Sequence, residues 1–278
     1  MTAVGGLQTH NGAHRAYLHG NGNREFHLAQ LGSLTFWDHL EELRIRLLRS
    51  LAAVVVALIV GFLLASRVQD FLCSPFHRSV SGSLALLAPS DGFVVQLKIA
   101  LLLAILIAAP FVALQLWGFI KPGLKPKERK YVRPIALIST LLFFGGVAFA
   151  WWILPAALKF LGSFAQFGLQ NLWSLRNYIS LVVFLLLAFG VIFQLPLVMG
   201  VLMAMELVPV SFFRRNRRYA IVIIFILAAF ATPTTDMLTM LLMAGPLVLL
   251  YEISIVIGAF IQRKRQIERG ELESAAHK

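Results

Sequence analysis

The sequence predicts an all-α polytopic membrane protein with six transmembrane helices and both termini on the cytoplasmic side. Three observations carry that prediction. The 278-residue chain is 59% hydrophobic and only 14% charged, with mean hydropathy +0.79, whereas soluble domains carry roughly 25% charged residues. Its apolar residues fall in runs long enough to cross hydrocarbon, which takes about 20 residues per helix. Its basic residues, which leave a net charge of +12, gather on one side of that arrangement, as they do in cytoplasmic loops.

Residues 1–33 have no apolar core of a secretory signal, and their Gly and Asn content predicts a flexible tail. The glycines between His10, His14, His19 and His27 argue against an ordered metal site there. The membrane domain is expected over 34–262. It opens with Thr35–Leu47, TFWDHLEELRIRL, in which Phe36, Leu40, Leu43 and Leu47 share one helical stripe. Thr35 and Asp38 have the spacing of a capping box. Glu41–Arg44 and Glu42–Arg46 have the i,i+3 and i,i+4 spacing of local ion pairs. This segment reads as an interfacial helix running into the first span, about Leu47–Ser66.

The second span is expected at about Phe93–Ile120, with Pro110 inside it. The third lies at about Ile135–Leu154, between Pro134 and Pro155, and the fourth at about Tyr178–Met205, with Pro196 inside it. Tyr219–Ala231 is shorter, and TPTTD (Thr232–Asp236) separates it from Met237–Phe260. Those two stretches read either as one bent segment or as a short fifth and a sixth helix. Charge decides between them. With six spans, 20 of the 25 Lys and Arg residues lie on one side, and Arg67, Arg78, Lys98, Lys159 and Arg176 on the other. With five spans the basic tail, 263–278, falls on the wrong side.

The basic clusters are thus explained by topology and by anionic headgroups, and nucleic acid is not implied. Cys73 is the single cysteine, so no internal disulfide forms; it is expected as a small loop residue. The sequence shows no metal-ligand cluster, nucleophile triad or phosphate-binding Gly loop. No enzyme activity, metal or cofactor is predicted.

A few polar residues call for a purpose. In Phe119–Arg133, FIKPGLKPKERKYVR, Glu128 is the one acid amid Lys121, Lys125, Lys127, Arg129, Lys130 and Arg133. A carboxylate held in a cationic field suits an arginine ligand, whose guanidinium makes two parallel hydrogen bonds that lysine cannot reproduce. An internal bridge to Lys125 is the competing use. The Gln194 amide, beside Pro196, needs a partner in lipid. It finds one either on a partner's helix or at a carbonyl freed by the proline. Glu252, a carboxylate within the last span, must be protonated or paired. Asp236 is placed to cap the sixth helix.

Three motifs in order, HLEELRIRL (His39–Leu47), FIKPGLKPKERK (Phe119–Lys130) and ATPTTD (Ala231–Asp236), resemble the TatC family, the multispanning core of the twin-arginine protein translocase. The likeness runs from about Leu34 to Gln262. It implies a cup- or glove-shaped fold with short fifth and sixth helices. It also implies a receptor for signal peptides bearing an Arg-Arg pair, exporting folded cargo across the bacterial cytoplasmic membrane on the proton gradient. TatA and TatB are the implied single-span partners, and several copies are expected in the complex.

By that resemblance Glu42, Leu43 and Arg44 fall on the family's ELR, Phe119 on the loop aromatic, Pro122 on the loop proline and Glu128 on the loop glutamate. Glu42 and Glu128 are then the expected acceptors for the arginine pair, with Arg44 orienting or neutralising Glu42. Pro75 matches the proline of the first external loop, and Asp236 the acid after helix five. Gln194 stands where many members carry Glu, so this site carries no charge. Gln194 and Thr232 are candidates for contact with a partner helix. A proton- or solute-coupled secondary transporter is the alternative, drawn from Gln194, Glu252 and the prolines within helices. A purely structural anchor leaves the ELR and KERK motifs unexplained.

Overall fold

The computed structural model describes residues 36–124, 129–163, 172–205, 207–231 and 237–276. These form two compact units, Met1–Leu48 and Arg49–Lys278. Helix α1 is Phe36–Ser79, and its residues 36–48 are the described part of the first unit. Within the second unit, α1 is followed by strand β1 (Ser83–Ala85), α2 (Asp91–Ile120), α3 (Val132–Ser163), β2 (Leu172–Ser174), α4 (Leu175–Ile192), α5 (Leu195–Ala204), α6 (Val210–Arg215), α7 (Arg217–Ala231) and α8 (Met237–Ala276).

Five helical stretches are long and apolar enough to cross a membrane: His39–Ser79, Asp91–Gly123, Arg129–Ser163, Leu175–Ala204 and Met243–Phe260. Helix α7 has 15 residues, about 22 Å at 1.5 Å per residue, against a hydrocarbon core of about 30 Å. Tyr219–Ala231 and Met237–Phe260 belong to two separate helices. The apolar stretch of α8 has 18 residues, but the helix itself runs for 40, so 263–276 continue it.

Several expected boundaries move outward. The first span continues to Ser79, which places Cys73, buried, and Pro75 in a helix and not in a loop. Pro155 lies inside α3 and does not end it. Pro196 does break its segment. Lacking an N–H, it cannot donate to Ile192, and its ring crowds that carbonyl. Helix α4 stops at Ile192, Phe193 and Gln194 form a turn, and α5 restarts at Leu195.

The faces turned away from the bundle are apolar: Leu63 is 74% exposed and Trp152 72%, as expected where lipid is the solvent. The core lies among α1, α2, α3 and α4, around Phe76, Ile99, Ile153, Tyr178, Ile179 and Phe189, with α7 and α8 adding Ile224, Ala228, Met243 and Leu247. Close approach of α3 and α4 depends on a missing side chain. A Cβ on Gly146 would lie 2.8 Å from the Phe189 carbonyl carbon. Small residues at such crossings let helix backbones touch and gain dispersion energy, which drives association where lipid offers no hydrophobic force. At the end where α2 and α4 begin, β1 and β2 pair in parallel, Leu84 opposite Trp173. The Tyr178 hydroxyl donates to the Leu72 carbonyl at 2.7 Å, tying α4 to α1.

Candidate functional site

In the N-terminal unit the helical spacing of the ELR segment sets its charge pairing. Glu42 Oε1 accepts from Arg46 Nε at 2.9 Å and from Nη2 at 2.7 Å. Arg44 Nη1 lies 3.5 Å from Glu41 Oε2. Arg46, and not Arg44, is the arginine that pairs with Glu42 here. Residues four apart share a helix face and residues two apart do not. Glu42 Oε2 has no partner among the described residues. Leu43 is exposed.

Among the described residues after α2 are two short 3-10 turns, Lys121–Gly123 and Arg129–Tyr131. Phe119 is half-buried near the end of α2. Pro122 sits within the first turn, where its missing N–H costs no hydrogen bond. Arg129 donates to the carbonyls of Leu124 at 3.4 Å and Pro122 at 3.5 Å. Leu124 packs with Trp117, Val132 and Ala136 as a small apolar base beneath the turn. Glu128 lies outside the described residues, as do Thr232 and Asp236.

Gln194 and Ser139, 55 residues apart, make a reciprocal pair. Ser139 Oγ donates to Gln194 Oε1 at 2.7 Å, and Gln194 Nε2 donates back to the Ser139 carbonyl at 3.1 Å. A longer contact, 3.5 Å, reaches the Gly190 carbonyl. The amide, expected to find its partner on another protein's helix or at a carbonyl freed by Pro196, is engaged within the chain, chiefly by α3. Glu252 is paired too: its Oε2 lies 3.1 Å from Arg217 Nη2, with side chains 37% and 46% exposed. The neighbouring Tyr251 hydroxyl donates to the Phe213 carbonyl at 2.9 Å, joining α8 to α6. Pro75 lines a pocket between α1 and α3. Among the described residues no three His, Cys, Asp or Glu side chains come together as a metal site.

A family model for Sec-independent protein translocase protein (TatC) matches residues 38–246. The chain belongs to the TatC family. It is 35% identical over 232 residues to a TatC protein of Carboxydothermus hydrogenoformans, covering 83% of this chain and 95% of that one. It is 38% identical over 233 residues to a TatC protein of Aquifex aeolicus, with 82% and 96% covered. A crystal structure of the twin-arginine translocase receptor TatC superposes with a TM-score of 0.72 at 38% identity, covering 81% of this chain and 99% of that one. The chain is therefore a multi-pass membrane component of Sec-independent protein translocation, a reading these matches favour over a secondary transporter.

This TatC-family chain also holds polar groups that sequence reasoning passed over. Asp91, buried at the start of α2, accepts from the Leu87 and Ala88 amides at 3.2 and 3.0 Å. Its other oxygen lies 3.2 Å from Arg176 Nη1, across to α4. Lys98 donates to Ser180 Oγ, which donates in turn to the Arg176 carbonyl. The signal available in sequence was Ser90-Asp91-Gly92 opening an apolar run, a helix-start pattern; its distant partner was not legible. Arg129 was counted only as topology-setting charge, yet it holds the turn that carries Pro122.

Proposed function

We propose that this chain is the signal-peptide receptor and core scaffold of a twin-arginine translocase, reading the two arginines with carboxylates and performing no catalysis itself. Family membership supports the role, and one observation carries the chemistry. Glu42 is held through a single oxygen by Arg46, and the second oxygen has no partner among the described residues. The pair is only partly buried, with side chains 25% and 30% exposed. Solvent-exposed pairs are worth about 0.2–1 kcal/mol, and at a value near that range a peptide guanidinium can compete for the carboxylate at modest cost. Glu128 is the second proposed acceptor, on the strength of its place in the KERK motif. Leu43, Phe119 and Pro122 are proposed to contact the rest of the peptide, Phe119 offering its ring to an arginine or an apolar side chain.

On this reading six helices cross the bacterial cytoplasmic membrane with both ends inside, and several copies assemble with TatA and TatB. The proton gradient drives transport. Thr232, Asp236 and the surface near Pro75 are proposed to serve the assembly, and Gln194 only if its bonds to Ser139 open. A transporter reading loses its support in Gln194 and Glu252, since both are engaged within the chain.

The test is binding of labelled Arg-Arg and Lys-Lys signal peptides to the purified protein. Wild type is compared with Glu42→Gln and Glu128→Gln. The Arg-Arg peptide should bind better by roughly 5- to 30-fold, corresponding to about 1–2 kcal/mol, and each substitution should shrink the difference. Equal binding of both peptides by the wild-type chain would sink the proposal.

A further inference from the structure

Arg67, Arg78, Lys98, Lys159 and Arg176 fall on the side of the membrane domain where cations are scarce. Two of them have internal partners: Arg176 holds Asp91, and Lys98 holds Ser180. Arg78 and Lys159 have no hydrogen-bond or ion-pair partner among the described residues, and both line one pocket. Its other walls are Ser74, Pro75, Ser79, Trp151 and Pro155, and its volume is 220 Å³. The pocket lies between the last turns of α1 and the second half of α3. Phe71 stacks on Trp151 at 4.5 Å and 9°, which fixes the indole that walls it.

Counter-charge is scarce here. Asp91 is committed to Arg176. Residues 164–171, which follow α3, contain no Asp or Glu. Asp70 lies on α1 eight residues before Arg78, about 12 Å along the axis at 1.5 Å per residue, and does not line the pocket. Asp236, the remaining acid assigned to this side, lies outside the described residues.

We propose that this pocket binds the phosphate of an anionic phospholipid headgroup. Arg78 and Lys159 supply the charge, and the Ser74 and Ser79 hydroxyls supply further donors. The pocket is smaller than the roughly 300 Å³ at which small-molecule sites begin, so it suits a phosphate and its ester linkage and not a whole cofactor. Trp151 is the residue type that settles at the headgroup level. The apolar flank beside it, with Trp152 72% exposed, is open to acyl chains. A free phosphate ion shares the headgroup's charge but gains nothing from that flank. The site would anchor α1 to α3 through lipid at the end of the domain opposite the Lys121–Tyr131 turns.

The test is native mass spectrometry of the full-length protein in detergent, titrated with phosphatidylglycerol, phosphatidylcholine or inorganic phosphate. Wild type should show one tight phosphatidylglycerol. Arg78→Gln/Lys159→Gln should bind it at least about tenfold more weakly, since each cation near a headgroup is worth several-fold in affinity. Arg214→Gln/Arg215→Gln should keep the tight site. Should the first double variant fail to fold, Arg78→Lys/Lys159→Arg should retain binding and each single Gln variant should lose part of it. Unchanged phosphatidylglycerol binding in the neutralised proteins overturns the proposal. So does phosphatidylcholine binding equally well. Inorganic phosphate displacing the lipid at matched concentration assigns the site to a free oxyanion and overturns the lipid reading.

Discussion

The Ser139–Gln194 pair offers a sharp test of how polar groups are held within this membrane domain. Ser139→Ala removes the 2.7 Å bond to Gln194 Oε1 and leaves that oxygen without its donor. Gln194→Leu removes the same bond and also the 3.1 Å bond to the Ser139 carbonyl. A side-chain hydrogen bond between membrane helices is worth about 0.6 kcal/mol on average and about 1.7 at most. The short distance and the burial of Ser139, which is 7% exposed, place the serine bond toward the upper part of that range. We expect Ser139→Ala to cost about 1 kcal/mol, Gln194→Leu slightly more, and the double variant no more than Gln194→Leu alone. The assay is a double-mutant cycle on reversible denaturation in mixed micelles, run beside export of a twin-arginine cargo. Additive losses in the double variant would refute an internal pair. Loss of export by Gln194→Leu with stability intact would refute the idea that Gln194 acts inside the chain and restore a partner-helix role.

Three further expectations use the same assays. Gly146→Ala places a Cβ 2.8 Å from the Phe189 carbonyl carbon and should destabilise by about 1–3 kcal/mol through overpacking. Gly145→Ala next door meets nothing within 4 Å and should be neutral or stabilising by up to about 1 kcal/mol; equal losses in the two would contradict the α3–α4 contact. Tyr178→Phe deletes the 2.7 Å bond to the Leu72 carbonyl and should cost about 1 kcal/mol with export retained; no loss of stability would contradict that tie. Asp91→Asn keeps an oxygen for the Leu87 and Ala88 amides but turns an amide toward Arg176, so it should lower the thermal midpoint less than Asp91→Ala. Its effect should vanish in an Arg176→Gln background, and a persisting effect would mean the two do not interact.

Much of the candidate site was legible because its determinants are local. Glu42 and Arg46 are four residues apart, so helix geometry alone pairs them. The HLEELRIRL, FIKPGLKPKERK and ATPTTD stretches identify the family without reference to tertiary packing. Misreadings came where sequence order does not measure distance. For Gln194 the sequence offers a partner's helix or a carbonyl freed by Pro196, and not Ser139, which lies 55 residues away. Asp91 drew no notice because Arg176 lies 85 residues on. Pro75 matches a loop proline and Pro155 bounds the expected third span, yet each is held inside a helix. Pro196, expected inside the fourth span, instead separates two helices.

By itself, the sequence determined a membrane protein, the places where its apolar helices run and its family. Those follow from the cost of putting each residue in lipid or water, a cost that adds along the chain. The tertiary structure decided which face of each helix turns inward, and so which polar groups meet: Ser139 with Gln194, Asp91 with Arg176, and Arg217 with Glu252; it also put Arg78 and Lys159 on the wall of one pocket. In spans that are apolar all round, hydropathy carries little information about rotation about the helix axis. That rotation is set by close backbone contact, as at Gly146, and by buried polar groups that have no water to turn to.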